Sequence, residues 1–187
     1  MKPPAVLLAG LLSTLPCAAQ RFVSTELSKG GKDLVLTRSD GSRWPAPRLE
    51  YEHFVSKQDS FEQPSVSPRG RYVGWLALYP GVEASYSQPL HLVVMDGDNR
   101  LHRFAGDWGM VFGWCFDPSG EAVTFRYSFP HGITDAGFDT RRISDGKLLR
   151  TFTLPAALLD VREEDLRWRV PRWARCALTR NNEEEDE

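Results

Sequence analysis

The chain has 187 residues, 23 Lys and Arg against 25 Asp and Glu, and a formal net charge of −2. A weakly acidic balance without a basic run argues against nucleic acid as a partner. The length suits one domain, and six Trp with ten Phe supply a core for it.

Residues 1–19 carry one early positive charge, Lys2, an apolar run from Ala5 to Leu12, and a small-residue ending, Cys17-Ala18-Ala19, before Gln20. That is the plan of a secretory signal peptide, and it predicts a periplasmic or secreted chain that begins at Gln20. A membrane span needs roughly 20 predominantly apolar residues, more than this run offers, and no later segment is apolar enough to cross. Acylation at Cys17 is the competing reading, and Pro16 directly before it speaks against that, since a small flexible residue is expected there.

Residues 20–180 read as a single β-repeat domain. Arg21 to Leu27 is an opening strand, followed by a turn at Ser28 to Lys32. Leu34 to Thr37, Asp40-Gly41 and Arg43-Trp44 form a hairpin, because Asp-Gly suits a type I′ turn with positive φ at both central residues. Pro45 to Ser60 is irregular and charged. Its Glu50, Glu52 and His53 can be drawn as a metal or acid-base cluster, but a solvated connector of this composition gives such combinations by chance.

The stretch from Gln63 to Pro80 returns fifty residues later: Pro68, Gly70, Val73 and Pro80 fall on Pro118, Gly120, Val123 and Pro130, while Trp75 meets Phe125 and Tyr79 meets Phe129. In each copy a Pro-x-Gly turn precedes a strand. Val123, Phe125, Tyr127 and Phe129 alternate with Ala122, Thr124, Arg126 and Ser128, which predicts one buried face. The first copy is apolar on both faces, through Val73, Trp75, Ala77 and Tyr79 on one side and Tyr72, Leu76 and Leu78 on the other, so it is expected to be covered twice. Asp96-Gly97 and Asp145-Gly146 mark a further hairpin in each copy. The repeat units span about 63–106 and 112–154, and the hairpin at Asp40 reads as the last half of an earlier one.

Units of four short antiparallel strands opening on SVSPRGRYVGWLAL or CFDPSGEAVTFRYS resemble the WD-like β-propeller repeats of TolB-type proteins. The resemblance covers roughly Gln63 to Leu154 and implies a scaffold of propeller-blade-like sheets, with no catalytic residue carried over. Closed propellers typically need about four to eight blades. Two and a half units therefore predict a mainly β fold of four-stranded blade-like units in an open or incomplete stack, unless sheets hide in Arg21 to Phe61 or several chains assemble.

Beyond Leu154, Leu159, Leu166, Val170 and Trp173 recur at near-helical spacing, and Glu163 with Arg167 and Asp165 with Arg169 form i,i+4 pairs. These predict a C-terminal helix at about 157–170, ended by Pro171. Residues 181–187 are an acidic tail with nothing to bury, expected to be disordered.

No constellation points to catalysis, a cofactor or a metal. His53, His91, His102 and His131 do not stand at metal-ligand spacing, and no nucleophile elbow, phosphate loop or zinc-protease motif occurs. Cys115 and Cys176 remain after export. They are a candidate disulfide in an oxidising compartment, or two independent residues with Cys115 as a small buried apolar side chain.

In both units the central strand ends on an aromatic-proline pair, Tyr79-Pro80 or Phe129-Pro130, and opens into a longer loop, 81–89 or 131–137. Shared strand order predicts that both loops leave the same edge, a common place for binding in repeat proteins. Glu83, Tyr86, His131 and Asp135 are the candidate partner-binding residues. The expected function is a non-catalytic interaction module whose partner is another periplasmic or envelope protein. The competing expectation is a small hydrolase or lyase with its site in these loops.

Overall fold

A strand that is apolar on both faces has to be covered from both sides, and the architecture follows from meeting that need. The computed structural model describes residues 20–51, 56–81, 86–106, 109–129, 135–158 and 163–178. The 1–19 leader, the 181–187 tail, Glu52, His53, Glu83, His131 and Leu159 lie outside the described residues.

Three antiparallel sheets form. Sheet I holds β1 (Phe22–Leu27), β2 (Leu34–Arg38) and β3 (Arg43–Pro45). A short pair, β4 (Glu50–Tyr51) and β5 (Ser56–Lys57), leads to sheet II, made of β6 (Ser60–Val66), β7 (Tyr72–Tyr79), β8 (Gln88–Asp96) and β9 (Leu101–Phe104). Sheet III holds β10 (Met110–Phe116), β11 (Ala122–Ser128), β12 (Ala136–Arg142) and β13 (Leu148–Leu154). The C-terminal part is a 3₁₀ turn at Ala156–Leu158, the helix α1 at Glu163–Arg169, and a 3₁₀ segment at Arg172–Ala177. The protein is mainly β, an open stack of sheets with one short C-terminal helix. Among the described residues the helix covers Glu163–Arg169 and ends ahead of Pro171, as expected, and a 3₁₀ segment follows it.

Every residue of β7 is buried. Val73, Trp75, Ala77 and Tyr79 pack with Phe22, Leu34 and Leu36 of sheet I, while Tyr72, Leu76 and Leu78 pack with Val111, Trp114, Val123 and Phe125 of sheet III. Sheet II is thus the filling of the stack. Sheet III departs from the expected single buried face: Ala122, Thr124 and Ser128 are buried on its second side, where the C-terminal segment covers it. Phe129, the counterpart of the buried Tyr79, is 45% exposed.

One turn geometry recurs in all three sheets. The N–H groups of Gly31, Gly70 and Gly120 donate to the carbonyls of Ser28, Ser67 and Asp117, three residues earlier. The N–H groups of those three residues donate in turn to the carbonyls of Asp33, Tyr72 and Ala122. Their side-chain oxygens accept the N–H of the same residues at 2.8, 3.0 and 3.0 Å. The glycines have φ of 68°, 68° and 75°, a region in which a Cβ is penalised. Sheet I therefore carries, besides its hairpin at 38–42, the same turn that precedes β7 and β11.

The hairpins are not type I′. In the loop at 38–42 only Gly41 has positive φ, and in the loop at 96–100 only Asn99 does, at 81° and 65°. In both, the positive-φ residue donates to the first carbonyl of the loop (Gly41 to Arg38, Asn99 to Asp96), the pattern of a type I turn closed by a left-handed residue.

Sheets I and II meet through a reciprocal pair of bonds. Phe22 N–H donates to Gly70 O at 2.7 Å, and Phe61 N–H donates to Gly31 O at 2.8 Å. Phe22 is the first residue of β1 and Phe61 the second of β6, and Gly31 and Gly70 hold the same place in the turns that follow. Leu34 and Val73, also at matching positions, both face the core between these two sheets. The relation is a local two-fold. Sheets II and III are related differently: turn 67–72 lies against turn 117–122, with Gly120 beside Pro68 and Arg71 paired to Glu121 at 3.0 Å. Trp114 lies against Gly74, where a Cβ would come within 2.6 Å of the indole, and its Nε1–H donates to Gln63 O at 3.1 Å.

Cys115 of β10 and Cys176 of the 3₁₀ segment are joined as a disulfide, Cα to Cα 5.9 Å, across a sequence separation of 61. It fastens the C-terminal cap, whose Leu166, Val170, Ala174 and Ala177 pack on Phe138 and Leu154 of sheet III.

Two outcomes follow for stability. Gly41 and Gly70 share a left-handed φ, but a Cβ at Gly41 meets open space while one at Gly70 runs into the Phe22 carbonyl. In urea titrations Gly41→Ala should cost about 1 to 2 kcal/mol and Gly70→Ala about 2 kcal/mol more; equal losses would refute the close contact between sheets. Cys176→Ser should lower stability by about 2 to 4 kcal/mol under oxidising conditions, and parent and variant should melt together in reductant.

Candidate functional site

The stack has two opposite edges, defined by where its strands begin and end. Since the turns that open β7 and β11 touch one another, and both strands then run away from that contact for seven or eight residues, their far ends share the opposite edge. The segments after Tyr79 and Ser128 leave from there. The first strand of sheet II starts at the same edge, since Ser60 pairs with Leu78.

Of the four candidate binding residues, Tyr86 is 48% exposed at this edge. Asp135 is exposed too, and its Oδ1 accepts the N–H of Ala156 at 2.9 Å, so the carboxylate holds the first C-terminal turn against sheet III. Glu83 and His131 lie outside the described residues. Phe129, which was not singled out as a candidate, is a further large apolar side chain exposed at this edge. Its earlier counterpart Tyr79 suggested a buried ring, so the alternation gave no signal for it.

An acid-anchored network supports the base of the 81–89 loop. Ser87 Oγ donates to Asp59 Oδ2 at 2.7 Å, Ser60 Oγ donates to Oδ1 at 2.8 Å, and Lys32 Nζ stands 3.4 Å from Oδ2. Burial alone pushes the Asp59 carboxyl up, but the hydroxyls of Ser87 and Ser60 and the charge of Lys32 outweigh it and hold the group below its ordinary value of 3.8. Beside this network Arg48 donates to Asp59 O at 2.8 Å, to Gln58 O at 3.2 Å and to Lys32 O, with its guanidinium over the Phe61 ring. The described residues of the stretch expected as a solvated connector, 45–51 and 56–60, are therefore pinned to the sheets, with Ala46, Leu49 and Gln58 buried.

At the opposite edge Arg38 is 6% exposed, stacked over Trp44 and Phe22 at 4.3 and 5.2 Å. It donates to Gly97 O at 3.1 Å, to Asn99 Oδ1 at 2.7 Å and to Gln20 Oε1. A cavity of about 490 Å³ opens beside it, and a second of about 400 Å³ lies where Arg21, Arg69 and Arg71 face Asp96, Asp98 and Glu121. In the first the cation is spent on structural acceptors, and in the second the charges balance one another. His91 packs on Tyr79 and His102 on Tyr72, which face opposite sides of sheet II, so the two histidines do not converge. Among the described residues no group of three or more His, Cys, Asp or Glu could hold a metal ion, and no helix is long and apolar enough to cross a membrane.

No protein-family model matches the chain, and a search of curated proteins finds no match.

The Asp59 network has a pH signature. Because the folded pKa lies below the unfolded one, its stabilisation is present above about pH 4 and fades as pH falls through the folded value. Urea midpoints should place Asp59→Asn below the parent at neutral pH, with the gap closing on acidification below about pH 4. A gap independent of pH would show that the carboxylate charge plays no part.

Proposed function

We propose that this chain is an exported, non-catalytic binding module whose partner, another periplasmic or envelope protein, is recognised at the loop edge. The observation that carries this reading is the pairing of Tyr86 and Phe129. Both are large aromatic side chains with nearly half of their surface in solvent, and both stand beside the strand ends from which the two long loops depart. Exposed aromatics on a rigid platform are the usual anchors of protein recognition. Support for a scaffold of the TolB-like kind comes from the recurring turn and the consecutive strand order of sheets II and III. The hydrolase or lyase reading draws on Asp135, whose carboxylate already serves Ala156 N–H, and gains nothing from the described histidines.

The test uses chain recovered from the periplasm, whose intact mass should correspond to a start at Gln20. Tyr86→Ala combined with Phe129→Ala should weaken capture of the partner from periplasmic extract by at least about tenfold. The melting temperature should move by no more than about 2 °C, as suits exposed positions. Unchanged capture would dismiss the loop edge as the binding surface.

A further inference from the structure

The C-terminal cap is too short to cover the whole outer face of sheet III. It lies over Phe138, Phe152 and Leu154, and leaves a gap between itself and the next row of that face, toward the turns. There Thr124 pairs with Thr140 and Thr140 with Arg150 across β11, β12 and β13. The result is a cavity of about 430 Å³, walled on one side by the 3₁₀ segment and closed by Cys176 of the disulfide. Its size falls in the range of small-molecule sites.

The lining is chemically asymmetric. Phe116, Leu149 and Trp173 give it apolar walls. The floor is polar: Thr124 and Thr140 are 3% and 7% exposed, and their hydroxyl oxygens stand 2.8 Å apart. Two hydroxyls joined by one hydrogen bond use one of their two protons, so the second proton remains for an acceptor in the cavity. At the rim stand Arg150 and Arg172, both exposed and neither ion-paired among the described residues, with Arg150 over the Trp173 ring at 6.0 Å. One acid, Asp117, also belongs to the lining and stands against these two cations. Its Oδ1 accepts the N–H groups of Glu121 and Ala122, both at 3.0 Å, and its Oδ2 accepts the Ser119 hydroxyl at 2.7 Å.

From this geometry we propose that the cavity between sheet III and the cap binds an amphipathic organic anion, a flat apolar body carrying one carboxylate, sulfonate or phosphate. The body lies between Phe116, Leu149 and Trp173. The charged group is met by Arg150 and Arg172, and a polar atom on the body accepts from the threonine pair. The site stands apart from the loop edge and does not depend on it.

Two fluorescent probes of nearly the same shape test the charge requirement: 1-anilinonaphthalene-8-sulfonate and its neutral counterpart N-phenyl-1-naphthylamine. The folded chain, with an unchanged near-ultraviolet circular dichroism spectrum, should bind the sulfonate saturably at one site and about tenfold more tightly than the neutral probe. Replacing Arg150→Gln together with Arg172→Gln should bring the sulfonate down to the neutral probe's affinity and leave the neutral probe where it was. Amide shifts on titration should centre on Thr124, Thr140, Arg150 and Trp173. The proposal is overturned by any of three results: no saturable binding, equal affinity for the two probes in the parent, or sulfonate binding that survives the double arginine replacement.

Discussion

Everything in this molecule is arranged around the two-sided apolar strand Tyr72–Tyr79. A half-buried strand needs one neighbour; this one needs two, and leaving either face bare would expose several large side chains at roughly 1.5 to 3 kcal/mol each. Sheet I answers for Val73, Trp75 and Tyr79, and sheet III answers for Tyr72, Leu76 and Leu78. Sheet III then has its own second face to hide. A helical cap tied down by the Cys115–Cys176 bridge does that without a fourth sheet.

Much of this was legible in the sequence because it is carried by local chemistry. Period-two alternation located β7 and β11, and Pro-x-Gly located the turns before them. The equivalent turn in sheet I, SKGGKD, has Lys29 in place of the proline and an additional glycine, Gly30, after it, so letter matching did not pair it with the others although its hydrogen bonds are the same. Asp-Gly announced hairpins at the right places but misled about the type at Asp40-Gly41, because one left-handed residue suffices when the loop is three residues long; at Asp96-Gly97 the following Asp98-Asn99 already pointed to a looser turn. The burial of Ala122, Thr124 and Ser128 depends on a segment fifty residues further on. Nothing in β11 itself signals it.

The candidate site was legible in outline only. Repetition of strand order predicts one edge for both long loops, and the described strand ends at Tyr79 and Ser128 agree with it, since two strands with adjacent starts and similar lengths finish side by side. Which side chains are available there is a tertiary matter. Asp135 looked like a recognition residue and is engaged with a backbone N–H, whereas Phe129 looked like core and is in solvent. Arg48 gave no sign in a charged stretch that it would bridge three carbonyls, because those acceptors come from two separate turns of the chain.

The two inter-sheet relations differ in kind. The contact between sheets I and II, with Phe22 bonded to Gly70 and Phe61 to Gly31, is isologous: each side presents the same surface to the other, as in a symmetric dimer, and such a contact is complete with two members. The contact between sheets II and III joins unlike surfaces and is heterologous, the kind that propagates into rings or filaments when repeated. One growing interface is thus stopped at its first end by a self-complementary one and at its other end by the disulfide-held cap. A single short chain can in this way use repeat units of a propagating design and still be finite.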